Sequence, residues 1–162
     1  MFGKHRKPAK MRDTALLQTM VNKDKSWAMK RLMRDLKEIE ENDIPTVGVT
    51  ARPTDKDIFT WRGNLRGPEG TPYQGGVFHI EIKFTELYPT EPPTIRLMTP
   101  LTHPNVFGTS ICLDMLNTND RILYQGWTSG YTVQSVLLQL QSFLFEKPPK
   151  DSEEKIKEEV KL

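Results

Sequence analysis

Along residues 27–41 the apolar residues Met29, Leu32, Met33, Leu36 and Ile39 recur at spacings of three and four, with no proline or glycine between them. That period predicts an amphipathic helix of about four turns, with Ser26 as its N-cap. Its outer side carries Lys30, Arg31, Arg34 and Lys37, and basic residues on an exposed helix ordinarily form a solvated face. Upstream, Ala15, Leu16, Thr19 and Met20 support no more than a short helical turn, too brief to accumulate stability.

After Pro45 the period drops to two. Val47 and Val49 predict a short strand, residues 52–57 a polar turn, and Phe59, Trp61 and Leu65 a second strand. A turn rich in glycine and proline follows over residues 66–76. Phe78, Ile80, Ile82 and Phe84 then alternate with His79, Glu81 and Lys83, which predicts a half-buried strand with His79 on its solvent side, a surface imidazole. Pro89, Pro92 and Pro93 impose an extended approach to a fourth strand, residues 94–98, with Ile95 and Leu97 on one face. A helical stripe returns from Thr132, with Val133, Val136, Leu137, Leu140 and Leu144 in register and Pro148 and Pro149 as its stop. Residues 151–162 form a charged segment that favours helix with few apolar anchors.

These elements predict an α+β fold: an N-terminal helix, a four-stranded antiparallel meander, a loop, a central helix and a short C-terminal helix. Residues 26–162 read as one core domain and residues 1–25 as a basic, flexible extension. A chain of 162 residues is long enough to bury one continuous core without staples.

Charge changes the picture at one end. The net charge is +2, yet residues 1–12 contribute +5 through Lys4, Arg6, Lys7, Lys10 and Arg12, so the remainder sums to −3. The body is therefore not a nucleic-acid binder by charge, and the arm is a solvated tail, a contact for an acidic partner or a nuclear address. No apolar run reaches the length of a membrane span, and the first ten residues lack the apolar segment of a signal peptide. The single cysteine excludes an internal disulfide and a thiolate-rich zinc site, and His5, His79 and His103 do not cluster at ligand spacing. No metal or cofactor is expected. An unpaired thiol fits a reducing compartment, cytoplasmic or nuclear.

The candidate chemistry lies in residues 103–114, where Cys112 follows a His103-Pro104-Asn105 triplet by seven positions and sits between Ile111 and Leu113. Placement in a loop between sheet and helix favours a working thiol, while the aliphatic neighbours favour a packing one. His103 is the only histidine close in sequence, and Pro104 stiffens it within a turn, so it is a structural hydrogen-bonding group as readily as a base. An ordinary thiol, with a pKa of about 8.5, is only a few per cent ionised at pH 7. That suffices for attack on an activated thioester and is poor for attack on an amide, so thioester exchange is favoured over a cysteine hydrolase. Gly63, Gly67, Gly70, Gly75 and Gly76 do not make a nucleotide loop, because no Gly-Lys-Ser/Thr end follows and the segment leads into a strand rather than a helix.

Six features in order carry a resemblance: the helix beginning Ala28-Met29-Lys30-Arg31-Leu32, the Gly67-Pro68-Glu69-Gly70-Thr71-Pro72-Tyr73 turn, Tyr88-Pro89 with Pro92-Pro93, His103-Pro104-Asn105, Ile111-Cys112-Leu113-Asp114, and Trp127 before a leucine-rich helix. Together they resemble the ubiquitin-conjugating enzymes, from about residue 27 to about residue 151. The resemblance implies an intracellular, ATP-dependent modification pathway. In it Cys112 accepts ubiquitin or a ubiquitin-like protein from an activating enzyme and passes it to a substrate lysine or a ligase cysteine. It further implies that Asn105 stabilises the oxyanion or orders the loop that does, that His103 and Pro104 are structural supports, and that Asp151 orients the incoming lysine. Partner contacts are implied for Lys30, Arg31, Arg34, Thr90 and Ser129, with a ligase of unknown type.

The chain departs from that pattern in four places. The loop between Asn105 and Cys112 is one residue shorter than usual, and the span from Cys112 to Trp127 is about seven residues longer, which puts an inserted loop at residues 117–124. Thr90 and Thr128-Ser129-Gly130 stand where many members carry an aromatic residue and a Ser-Pro-Ala loop for ligase binding. Eleven residues follow Asp151 where two further helices are common, so the core reads as C-terminally short. The alternative within the same fold is a weak or inactive member that binds ubiquitin as a scaffold.

Overall fold

The alternating stretches pair into one antiparallel sheet among the described residues. Its strands are β1 (Val49–Thr54), β2 (Asp57–Arg66), β3 (Val77–Lys83), β4 (Thr94–Leu97), β5 (Val106–Phe107) and β6 (Ser110–Ile111), and the helices are α1 (Ala9–Glu41), α2 (Val133–Leu144) and α3 (Glu153–Val160). The computed structural model describes residues 9–42, 48–118, 126–146 and 152–161, with side chains from residue 16 onward. Val47 lies outside the described residues.

The strand order is β1-β2-β3-β4-β6-β5: the expected four-stranded meander is β1–β4, and a small β5–β6 hairpin is added to it through β6, making six strands. The two additional strands are two residues each and carry no period by which to recognise them. They form because Gly108 takes φ +63, closing a tight turn with Thr109. The first hairpin is also tighter than expected. Arg52 pairs with Arg62 inside the ladder and β1 runs to Thr54, leaving Asp55 and Lys56 as the turn. The Asp57 carboxylate fastens its far side, accepting from the Phe59 N–H and the Thr60 hydroxyl, each at 3.0 Å.

Trp61, Leu65, Ile80, Ile82 and Leu97 point from the sheet into a core closed by α1 and α2. On α2 the buried residues are Val133, Val136, Leu137, Leu140 and Leu144, the stripe the sequence predicts. Each such side chain contributes about 1.5–3 kcal/mol on burial. A reciprocal capping box starts the helix: the Ser135 N–H donates to the Thr132 hydroxyl at 3.2 Å, and the Thr132 N–H to the Ser135 hydroxyl at 2.9 Å.

α1 corrects the sequence reading twice. It begins by Ala9, not at Ser26, and residues 16–27 are exposed along their whole length. With no proline or glycine in the segment, a helix docked at its C-terminal half propagates backward at little cost, because nucleation has already been met. The buried stripe also differs from the predicted one. Met29 and Met33 are exposed, and the inward positions are Ala28, Leu32, Asp35 and Ile39. An acid occupies a core position.

The glycine-rich segment between β2 and β3 is a closed turn. The Gly67 N–H donates to the Gly76 carbonyl at 2.9 Å and the Thr71 hydroxyl to the Pro68 carbonyl at 2.7 Å. Gly67 is required by crowding, since a Cβ there would stand 1.8 Å from the Tyr73 carbonyl oxygen. No helix among the described residues is long and apolar enough to cross a membrane.

Candidate active site

β5 and β6 form a small hairpin pinned to the sheet by the pairing of Arg96 with Ser110 and by the Leu97 N–H donating to the Thr109 carbonyl at 2.9 Å. Within it Val106 faces Ile111 and Phe107 faces Ser110. Continuing that register places Asn105 opposite Cys112, and the Cys112 N–H donates to the Asn105 carbonyl at 2.8 Å. Residues directly opposite in an antiparallel ladder project from the same face, with Cβ atoms about 5 Å apart. The register of the hairpin thus sets Asn105 beside Cys112. Cys112 is exposed, while Ile111 and Leu113 are half-buried against the core. The aliphatic neighbours anchor the strand and leave the thiol accessible.

The ladder ends at Asn105 for an identifiable reason. Its N–H, which would otherwise continue the pairing, donates to Nδ1 of His103 at 3.0 Å. An imidazole accepting at Nδ1 carries its proton on Nε2 when neutral. The ring packs against Phe143 near the end of α2, centroids 5.5 Å apart. Burial pushes its pKa below the usual 6.5, opposed by a hydrogen bond to the Phe143 backbone and by the charge of Glu146. His103 therefore braces the turn, and its Nδ1 is occupied by the backbone. Pro104 sits exposed at the corner.

Beyond the thiol, Asp114–Leu116 make one turn of 3-10 helix that buries Met115. The long connection that follows is closed at its neck by the Trp127 N–H, which donates to the Asn117 carbonyl at 2.9 Å. Gly126 lies in that neck at φ +97, where a Cβ would approach the same carbonyl to 2.5 Å. Most of the inserted loop, and Asp151, lie outside the described residues. Trp127 is fixed by its indole N–H donating to the Pro89 carbonyl at 2.8 Å, by a tilted ring contact with Tyr88 and by an edge contact with Tyr131.

The outward basic face expected on α1 is only partly there. Lys30 and Arg34 are exposed, with the Lys30 ammonium 5.9 Å from the centroid of Trp27, itself 64% exposed. Arg31 turns inward instead. Its Nε donates to Asp35 Oδ1 at 2.8 Å, and its two terminal nitrogens reach the carbonyls of Ser129 and Tyr131 at 2.8 and 2.7 Å. The guanidinium is spent on holding the loop before α2, and the Ser129 carbonyl is engaged there too. Thr90 is exposed, its N–H donating to the Leu87 carbonyl at 2.8 Å.

Sequence reasoning missed Asp35. This fully buried carboxylate also accepts the Tyr88 hydroxyl at 2.7 Å and the first N–H of α2, from Val133, at 3.3 Å. It joins α1, the segment after β3 and the positive end of α2. Burial and the bond to Asp35 push the Tyr88 pKa far up, so the phenol remains a donor. The usable signal was position: residues 28, 32, 35 and 39 keep helical spacing if polarity is ignored. Among the described residues no group of His, Cys, Asp and Glu is arranged to hold a metal ion.

The four-stranded meander, its added hairpin and the helices thus present one exposed cysteine beside an asparagine. The family model for ubiquitin-conjugating enzymes matches residues 31–160, and the chain belongs to that transferase family. It is 40% identical over 121 residues to the Ubiquitin-conjugating enzyme E2 1 of Caenorhabditis elegans, covering 74% of this chain and 58% of that protein. It is 39% identical over 123 residues to the Ubiquitin-conjugating enzyme E2 3 of Arabidopsis thaliana, covering 75% of this chain and 76% of that one. The chain thus matches less than two thirds of the nematode relative's length.

Proposed function

We propose that this chain carries ubiquitin or a ubiquitin-like protein as a thioester on Cys112. In the first step the Cys112 thiolate attacks the thioester carbonyl between the modifier and an activating enzyme; the new thioester forms and the enzyme's thiolate leaves. In the second, a neutral substrate lysine amine, or a ligase thiolate, attacks the Cys112 thioester. The Cys112 thiolate leaves and, for lysine, the amine nitrogen gives up one of its two protons to solvent and keeps the other as the amide N–H. Both steps go through a tetrahedral oxyanion, for which the Asn105 carboxamide is the donor at hand. Asp151 serves to orient the incoming lysine. The partners are the activating enzyme, a ligase and a protein substrate, in a reducing, cytoplasmic or nuclear compartment.

The observation that carries this reading is the exposed Cys112 directly opposite Asn105, bonded to it at 2.8 Å. Incubation with activating enzyme, ATP and ubiquitin should give an adduct on a non-reducing gel that a thiol reductant removes. Cys112→Ala should give none, and Cys112→Ser an adduct that survives reductant, because an oxygen ester does not exchange with thiols. No adduct with ubiquitin or with any ubiquitin-like modifier would leave a non-catalytic scaffold of the same fold.

A further inference from the structure

α3 has eight residues, too few to be stable alone. It is docked through Ile156, which is fully buried, with Val160 half-buried beside it. That docking carries Glu159 to the loop between β4 and β5. There its carboxylate accepts two bonds from Thr102, the backbone N–H at 2.9 Å and the hydroxyl at 2.5 Å. Thr102 immediately precedes His103, whose Nδ1 holds the Asn105 N–H at 3.0 Å. The Asn105 carbonyl in turn holds the Cys112 N–H at 2.8 Å. Three hydrogen-bonded links, joined through the peptide bond between Thr102 and His103, therefore run from α3 to the backbone of the candidate nucleophile. The first link is charge-assisted and two-pronged, the strongest type in the series.

We propose that Glu159 is a positioning residue for the transfer step: through Thr102 and His103 it fixes where Asn105 stands relative to Cys112. The proposal rests on the transfer reaction given above. Glu153, Glu154 and Glu158 are on the same helix, yet it is Glu159 whose carboxylate meets the loop. Its carboxylate and the Thr102 hydroxyl are both solvent-exposed, so their removal leaves the core intact. Glu159 touches no reacting atom, and it acts on the rate of transfer, not on the binding of the acceptor.

The test uses the full chain with two readouts: amide hydrogen exchange at Asn105 and Cys112, and discharge of the ubiquitin adduct to free lysine. In Glu159→Ala, exchange at both amides should quicken about fivefold while the α2 amides keep their protection. The kcat of discharge should fall about fivefold with KM for lysine and the yield of loading unchanged. Glu159→Gln should recover most of both, since its amide oxygen still accepts from the Thr102 N–H. Adding Thr102→Val to Glu159→Ala should cost nothing more. Unchanged exchange at Asn105 in Glu159→Ala, or a Gln variant as impaired as the Ala variant, would overturn the proposal. A wild-type chain that takes no ubiquitin would fail the transfer reading alone, and the exchange measurement would still decide whether Glu159 orders Asn105.

Discussion

Nδ1 of His103 accepts the backbone N–H of Asn105 at 3.0 Å, so the histidine nearest the thiol in sequence is committed to shaping the turn. A pH dependence follows from its pKa, which burial lowers below 6.5 in the folded chain. The unfolded chain then binds the proton more readily than the native one. Native stability from this site is complete above about pH 6.5 and is lost as pH falls through the lowered value. Urea unfolding at pH 7.5 and 5.5 should show a larger loss for the wild type than for His103→Gln. Equal losses would mean that His103 is not held neutral.

The bonds that Asn105 makes to His103 and Cys112 use its backbone atoms. Asn105→Ala keeps both, so its urea midpoint should stay close to that of the wild type. If the carboxamide meets the oxyanion, discharge to lysine should slow roughly 100-fold, the scale of one lost donor. A variant that loses stability in step with activity would make the side chain a loop-ordering group instead.

Asp35 holds Arg31, the Tyr88 hydroxyl and the Val133 N–H from a position with no exposure. Asp35→Ala strands an inward guanidinium and a buried hydroxyl, at a cost of about 3–5 kcal/mol. Tyr88→Phe removes one of the three bonds and should cost about 1–2 kcal/mol. Denaturant midpoints in that order would support the network; a neutral Asp35→Ala would refute it.

Two glycines in one turn should respond differently. At Gly67 an added Cβ meets the Tyr73 carbonyl at 1.8 Å, whereas at Gly70, φ +73, it meets nothing within 4 Å. Gly67→Ala should cost about 3 kcal/mol or more through backbone crowding, and Gly70→Ala about 1 kcal/mol through its positive φ alone. Thermal unfolding of the two variants compares them directly.

What the residues alone determined is whatever a period or a unique residue type encodes. The inward set of α2 and its Thr132 start, the alternation of β4 and, apart from Glu81, which is buried between Arg62 and Lys83, of β3, and the thiol at Cys112 with its loop position all follow from local pattern. The order of motifs also sufficed to identify the family. Tertiary structure decided the rest, and for one reason: those features depend on partners far away in the chain. Asp35 is a core residue only because Arg31, Tyr88 and Val133 surround its charge, and Arg31 faces inward only because Asp35 and the 129–131 carbonyls receive it. The β5–β6 hairpin joins the sheet only because β4 offers β6 an edge to pair with. Glu159 reaches Thr102 across 57 positions once Ile156 is docked. No periodicity records such a contact, since it belongs to neither segment until both are folded.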